Sequence, residues 1–116
     1  MSKTVSLADI NKQLRIFETL RHLDAQMPVG QIEFFLNAAK MQPCTLTEIA
    51  QACDAKMTTA SRYLASLSAV GPYQESGLNL LKAQENPANR RQKLVELTAD
   101  GEKLLETIIG KNMKGE

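Results

Sequence analysis

The feature that most constrains the fold is a pair of short helical segments in the middle of the chain, joined by a tight turn. Thr45 is followed three residues later by Glu48, which is a capping box: each side chain bonds a free backbone amide of the first helical turn. The helix that begins there is predicted to end near Cys53, and another helix is predicted over 57–69. Between them stands Asp54, one of the few non-glycine residues that enter the left-handed backbone region readily.

Two small residues allow these helices to pack closely. Ala50, early in the first helix, lets the two helices cross at short distance, and Ala55 fills the gap after the turn. Residues 49–64 therefore resemble the general bacterial helix-turn-helix pattern.

Further elements are predicted on both sides of this unit. Apolar residues at spacings of three and four predict amphipathic helices over 7–24 and 29–40. Short apolar runs at 78–83 and 93–98 flank a polar, turn-rich segment, which predicts a hairpin with a long tip. A last helix is predicted over 99–110.

The length of 116 residues fits a single domain over 1–116. Aromatic residues make up only 4% of the chain, so its core must be aliphatic, which favours helices over a β-sandwich. We therefore expect a mainly α fold with a small β-hairpin (α+β). No apolar run is long enough for a membrane span and no secretory signal is evident, so we expect a cytoplasmic protein without a membrane partner.

The sequence gives little support to catalysis or metal binding. It contains no glycine-rich phosphate loop, no nucleophile motif and no carboxylate cluster with metal-ligand spacing, so we expect no enzyme, no catalytic residues and no cofactor. Cys44 and Cys53 are the two cysteines and His22 is the sole histidine, which does not make a zinc site. The cysteines are interpreted as small packing or capping residues, with a redox sensor as the alternative.

Residues 86–101 are similar to the wing signature of the MarR family of transcription regulators. That signature has a polar tip with proline, an Asp-x-Arg, a strand and Leu-Thr-x-x-Gly, and here it follows the helix-turn-helix at the right distance. The resemblance covers about residues 45–105. It implies a winged helix-turn-helix fold and a regulator, usually a repressor, that binds double-stranded DNA as a homodimer.

Three features depart from the family pattern. Asn89 replaces the usual aspartate, which removes a carboxylate able to hold Arg91. Residues 72–77 have the character of a small insertion, and the short C-terminus implies abbreviated dimerisation helices. The dimer face is expected from the apolar stripes at 7–23 and 104–109.

The resemblance also implies the DNA contacts. The helix at 57–69 is expected in the major groove, where Arg62 can read guanine, and the wing at 84–93 in the minor groove, where Arg91 matches the family's wing arginine. Because the net charge is only +1, positive charge must act by local clustering. The candidate DNA-binding residues are Lys56, Met57, Thr58, Thr59, Ser61, Arg62, Asn89, Arg90, Arg91 and Lys93.

Other interpretations stay open at this stage. The wing cations can be ordinary solvated charges, and the same fold serves as a DNA-binding module in replication, partition or recombination proteins, or as a protein–protein interaction module. A small-molecule effector is compatible with the family, but the low aromatic content does not indicate one.

Overall fold

The computed structural model describes residues 6–69 and 77–110, which form five helices and one three-stranded antiparallel sheet. The predicted fold class is confirmed, since helices dominate and the sheet is small. The helices are α1 (Leu7–Leu23), α2 (Val29–Met41), α3 (Leu46–Cys53), α4 (Met57–Leu67) and α5 (Ala99–Ile109). The strands are β1 (Cys44–Thr45), β2 (Leu81–Glu85) and β3 (Lys93–Leu97), in the spatial order β1-β3-β2.

Side-chain caps fix where three of these helices begin. At α1 the Ser6 hydroxyl accepts from the Asp9 amide at 3.2 Å. At α3 the predicted capping box is confirmed: the Glu48 amide donates to the Thr45 hydroxyl at 3.1 Å, and the Thr45 amide donates to the Glu48 carboxylate at 2.8 Å. At α5 the Thr98 hydroxyl accepts from the Gly101 amide at 3.0 Å. Each cap satisfies a backbone donor that the helix itself leaves free, which stabilises a helix by about 1 kcal/mol.

The sheet differs from the prediction in two ways. The predicted strand at 78–83 is wrong in its bounds, because residues 77–80 donate their backbone amides to the carbonyls of residues 66–69, in the last turn of α4 and just after it, and not to β3. Two of these bonds run from Leu78 to the Ser66 carbonyl at 3.1 Å and from Leu80 to the Leu67 carbonyl at 2.7 Å. The strand β1 was not predicted, because two residues are too few to show an alternating pattern.

The end of α4 is also earlier than predicted. The helix stops at Leu67 rather than at residue 69, since Ser68 has extended backbone angles and its hydroxyl bonds the Leu64 carbonyl at 2.6 Å. Gly71 and Pro72, a pair typical of turns and helix ends, lie outside the described residues, as do residues 111–116. Of the predicted insertion at 72–77, only Gly77 is described.

The core joins the helices to the sheet. Phe34 of α2, Ile49 of α3, Leu67 of α4, Leu81 of β2 and Val95 of β3 are all fully buried. Burying a side chain of this size contributes about 1.5–3 kcal/mol relative to exposure. One core therefore holds the helix-turn-helix and the hairpin together.

Candidate nucleic-acid interface

The turn between α3 and α4 sets the direction of α4. Asp54 has φ 56° and ψ 44°, so the predicted left-handed turn residue is confirmed. The next residue, Ala55, donates its amide to the Ala50 carbonyl at 2.9 Å and closes the turn. Ala50 is only 2% exposed where the helices cross, as expected for a small residue at a close contact.

The outer face of α4 is polar and open to solvent. Met57, Thr58, Ser61 and Arg62 are all exposed, and their spacings of three and four residues place them on one side of the helix. Ala60 and Leu67 are buried on the opposite side. Lys56, also exposed, is the N-cap residue of the helix. The structure thus brings together five of the six residues predicted for the major groove.

Thr59 is the sixth, and it lies on a different side of α4. It is half-buried and lines a cleft of about 410 Å³ between α2 and α4, together with Tyr63. The Tyr63 ring packs against Phe34 with ring centroids 6.0 Å apart and planes tilted by 59°. The Tyr63 side chain therefore packs against the neighbouring helix α2.

The hairpin tip covers residues 86–92, between β2 and β3. The predicted wing at 84–93 consists of this tip together with the last two residues of β2 and the first residue of β3. The Asn86 amide donates to the Gln92 carbonyl at 3.3 Å, and the Gln92 amide donates to the Asn89 carbonyl at 3.0 Å. These bonds give the tip a defined course rather than an open loop.

Asparagine side chains reinforce the tip. The Oδ1 atom of Asn86 accepts from the Ala88 amide at 3.0 Å, and the Oδ1 atom of Asn89 accepts from the Arg91 amide at 3.1 Å. These are Asx turns, in which a side-chain oxygen mimics a backbone turn acceptor. Although Asn89 lacks the carboxylate of the family pattern, its amide oxygen still holds the backbone of Arg91.

The residues of the wing that are predicted to contact DNA are all accessible. Asn89, Arg90, Arg91 and Lys93 are exposed. In the β2–β3 register Lys93 stands opposite Glu85, a cross-strand pairing of opposite charges. The cationic character of the tip therefore comes mainly from the two arginines.

Sequence reasoning missed Gln42, which lies between α2 and β1. Its side chain accepts a hydrogen bond from the Leu97 amide at 2.9 Å and donates one to Glu102 at 3.4 Å. A single glutamine after a predicted helix carries no signal of such contacts, because both partners are more than 50 residues away in sequence.

An apolar surface runs along the outside of α1. Leu7, Ile10, Leu14 and Phe17 are 78%, 45%, 51% and 54% exposed, respectively. Phe17 also borders an apolar groove of about 390 Å³ between α1 and α2. The stripe predicted at 7–23 is therefore open from Leu7 to Phe17, whereas Leu20 is buried in the core.

The stripe predicted at 104–109 is mostly closed. Leu104 and Ile108 are buried in the core, whereas Ile109 is 49% exposed. The expectation that this whole stripe faces a partner is therefore wrong, because α5 uses its apolar side to cover the fold of its own chain.

Neither cysteine shows the features of a reactive thiol. Burial raises the pKa of Cys44, and the nearby Glu48 carboxylate raises it further. Burial also raises the pKa of Cys53, although the hydrogen bond from the Asn37 side chain at 3.4 Å acts in the opposite direction. Because the thiolate is the reactive form, these surroundings favour the packing interpretation over a redox sensor.

Among the described residues no group of three histidine, cysteine or acidic side chains is arranged to hold a metal ion.

The helices of the described segments, 6–69 and 77–110, do not include one with the length and apolar character needed to cross a membrane.

Comparison with known proteins identifies the architecture. No protein-family model and no curated protein matches the sequence. The solved structure of MarR has a TM-score of 0.64 and 23% identity, covering 89% of this chain and 69% of that one. BpsR from Bordetella bronchiseptica has a TM-score of 0.60 and 23% identity, covering 85% of this chain and 70% of its own. MepR of S. aureus, solved with DNA, has a TM-score of 0.68 and 21% identity, covering 89% of this chain and 77% of its own. The chain therefore has the winged helix-turn-helix fold seen in MarR.

Proposed function

We propose that this chain is a sequence-specific double-stranded DNA-binding protein that regulates transcription, acting as a repressor. The observation that carries the proposal is the exposed polar face of α4, which includes Arg62. This helix is the second of a helix-turn-helix, and the helix-turn-helix shares one hydrophobic core with a hairpin that carries a basic wing. The similar fold of MepR, solved in a complex with DNA, supports the same use of these elements here.

In the proposed complex α4 enters the major groove. A B-DNA major groove admits one α-helix, and the second helix of a helix-turn-helix is the one that enters it. Arg62 would donate two hydrogen bonds to O6 and N7 of a guanine, and the methyl group of Thr58 would contact a thymine methyl. Lys56, at the start of the helix, would bind a phosphate and fix the register without reading sequence.

The wing would reach the neighbouring minor groove. Arg91 would insert into a narrow, A·T-rich stretch, where the negative potential is strongest. Arg90 and Lys93 would lie beside phosphates, and Asn89 would hold the backbone at the tip. The two elements together give one protomer contacts with both grooves on the same stretch of duplex.

We further propose a homodimer formed through the outer face of α1. Four large apolar side chains exposed on one helix face are typical of an interaction surface. Since α5 contributes only its outer edge, near Ile109, α1 would provide most of the contact. Two symmetric recognition helices would then bind half-sites about one helical turn apart on a pseudo-palindromic site.

We also expect that DNA binding by this chain does not depend on a small-molecule effector. BpsR is described as a protein whose DNA binding is regulated by 6-hydroxynicotinic acid. In this chain the groove between α1 and α2 is lined by three aliphatic and three polar or charged side chains, with Phe17 as its one aromatic residue, and we expect no obligatory small-molecule ligand. A thermal-shift screen with phenolic and pyridine carboxylic acids tests this; strong, saturable stabilisation by one of them would contradict it.

The proposed function is tested by selecting bound sequences from a random DNA pool and measuring affinities for the selected site. We expect a pseudo-palindrome, and we expect Arg62→Ala to weaken binding by roughly 5- to 150-fold, the range for one bidentate base contact. Arg91→Ala should weaken binding to the selected site, whereas Arg90→Ala, which would remove one phosphate contact, should reduce the slope of log affinity against log salt by about 0.9. The control is Arg21→Ala, an exposed arginine near the end of α1.

Two results would overturn the proposal. If no sequence is enriched and no DNA is shifted at low salt, the chain is not a DNA-binding protein, and a protein-binding winged helix becomes the better interpretation. If Arg62→Ala and Arg91→Ala bind the selected site as Arg21→Ala does, the assignment of the interface to α4 and the wing is wrong.

A further inference from the structure

Gln42 joins three parts of the fold through one side chain. Its Oε1 atom accepts a hydrogen bond from the backbone amide of Leu97, the last residue of β3, at 2.9 Å. Its Nε2 atom donates to a carboxylate oxygen of Glu102, in the first turn of α5, at 3.4 Å. Gln42 itself is the C-cap residue of α2. The side chain therefore links α2, the base of the hairpin and the start of α5.

The strand register explains why a side chain is needed at this point. In the β1–β3 pairing Cys44 stands opposite Val95 and Thr45 opposite Leu94, so Gln42 would stand opposite Leu97 if the ladder continued. The Gln42 backbone does not make this pairing: its amide donates instead to the Ala38 carbonyl at 2.9 Å and closes α2, and the Leu97 amide donates to the Gln42 side-chain oxygen rather than to its carbonyl. The side-chain amide takes the place of the missing ladder acceptor, and it adds a bond to α5 that a backbone carbonyl could not make.

The opposite side of the same junction is held by the segment before β2. The Thr98 amide donates to the Leu80 carbonyl at 3.0 Å, and the Thr98 hydroxyl donates to the Asn79 carbonyl at 2.6 Å. The Asn79 side chain donates to Asp100 at 3.2 Å. Hydrogen bonds thus fix the junction between β3 and α5 from both sides, and Gln42 makes those on the side of α2.

The length of the hairpin makes this junction important for its tip. Arg91 lies six positions before Leu97, a span of at most about 20 Å if the chain were fully extended. A rotation of about 10° at the base would move the tip by about 3–4 Å, comparable to a whole hydrogen-bond length. The direction in which the wing leaves the body therefore decides whether its arginines meet the groove beside α4.

We propose that Gln42 is a positioning residue for DNA binding: by bonding Leu97 and Glu102 at once, it fixes the direction of the wing relative to α2 and α5. The inference rests on the proposed function, because it assigns a role in DNA recognition to a residue that touches no DNA. The predicted consequence is that Gln42 acts through Arg91 at the wing tip and not through Arg62 on α4.

A double-mutant cycle on DNA affinity tests this, with the full chain and a selected DNA site. Gln42→Leu removes both hydrogen bonds, and we expect it to weaken binding by roughly 3- to 10-fold, as for the loss of a single hydrogen bond or little more. The same substitution should weaken an Arg62→Ala protein by the same factor, because the wing still binds there. In an Arg91→Ala protein it should have little further effect, because the contact that it misdirects is already lost.

Rescue by exchange of the two polar partners separates positioning from general destabilisation. Gln42→Glu keeps an acceptor for the Leu97 amide but places a carboxylate against Glu102, so binding should weaken. Combining it with Glu102→Gln restores a donor and an acceptor, and binding should recover. These variants change no buried apolar side chain, so they serve also if Gln42→Leu fails to fold. Thermal melting of each variant verifies that it is folded at the assay temperature.

The outcomes distinguish this inference from the proposed function. If the wild-type chain binds DNA but Gln42→Leu weakens the Arg91→Ala protein as much as the wild type, the role of Gln42 is not exerted through the wing and the inference is overturned. The same holds if the exchanged pair does not recover affinity. If the wild-type chain binds no DNA, the proposed function fails and the inference fails with it.

Discussion

The side-chain oxygen of Asn89 accepts the backbone amide of Arg91 at 3.1 Å, so the residue that precedes the two wing arginines also fixes the backbone between them. Asn86 does the same for Ala88 at 3.0 Å, one turn earlier. A tip ordered in this way loses less conformational entropy when it binds than a free loop of equal length. Here two asparagines give the tip the order that binding requires.

We expect Asn89→Ala to weaken DNA binding by roughly 2- to 10-fold, because it removes one side-chain hydrogen bond that orders the tip. Its effect should appear in DNA affinity more than in thermal stability, since residue 89 is exposed and outside the core. Fluorescence anisotropy with labelled DNA and thermal melting measure the two quantities. The matched control is Asn89→Asp, which keeps an acceptor for the Arg91 amide and should preserve the order of the tip. A loss of affinity from Asn89→Asp as large as that from Asn89→Ala would contradict this account.

Asp54 provides a stability test of the helix-turn-helix itself. Its left-handed backbone costs an ordinary L-residue about 1–2 kcal/mol, whereas glycine carries no such penalty. We expect Asp54→Val to lower the free energy of unfolding by about 1 kcal/mol and Asp54→Gly to leave it unchanged or raise it slightly. Urea unfolding followed by circular dichroism measures both. Equal destabilisation by valine and glycine would show that the Asp54 side chain, not its backbone conformation, stabilises the turn.

The parts of the fold that could be predicted from the sequence are those encoded locally. The capping box at Thr45, the turn at Asp54 and the periodic helices depend on residues a few positions apart, so the pattern reveals them. The start of β2 could not be predicted, because residues 77–80 are drawn to the free carbonyls at the end of α4. The strand β1 and the contacts of Gln42 could not be predicted either, because their partners on β3 and α5 are distant in the sequence.

In the candidate interface, too, the features encoded locally could be predicted and those that depend on distant parts of the chain could not. The exposed polar face of α4 follows from helical spacing alone, as does the presence of an apolar face on α1, although not its accessibility. Thr59 is predicted to face DNA with its neighbours, because its local sequence does not indicate that it lines the cleft beside α2. Likewise Leu104 and Ile108 form a stripe in the sequence whether they face a partner or their own core.

The Leu-Thr-x-x-Gly pattern has a steric cause at its last position. A Cβ atom on Gly101 would overlap the backbone carbonyl oxygen of Leu80, which cannot move without disturbing the segment that precedes β2. We expect Gly101→Ala to destabilise the protein by about 1–3 kcal/mol, as overpacking of a close contact does, although alanine favours helices more than glycine. Chemical unfolding measures the loss, and Lys103→Ala, at an exposed position of the same helix, is the control. A Gly101→Ala protein as stable as the wild type would show that the contact is not as close as described.

The open face of α1 gives a prediction about assembly. Placing charge at two of its exposed apolar positions, with Ile10→Glu and Leu14→Glu together, should convert a dimer to monomers, because charged side chains cannot be buried unpaired in an apolar interface. Each monomer should keep its helical circular dichroism spectrum, since both positions are about half exposed within the chain. Sedimentation equilibrium measures the mass, and Lys12→Glu, an exposed position on the same helix, is the control for added charge. A wild-type chain that is monomeric at high concentration would contradict the proposed dimer.

The two cysteines give a prediction about pH. Because burial raises the pKa of both Cys44 and Cys53, the fraction of reactive thiolate at neutral pH is below that of a free cysteine. We expect alkylation by iodoacetamide to be slow at neutral pH and to reach half its maximal rate at a higher pH than for a short cysteine peptide. Between the unfolded and folded pKa values the folded chain binds more protons than the unfolded one, so stability should fall as pH rises through that interval. The variants Cys44→Ala and Cys53→Ala assign the rates, and the half-buried Cys53 should react before the buried Cys44. Rapid alkylation at neutral pH with loss of DNA binding would instead favour the redox-sensor alternative.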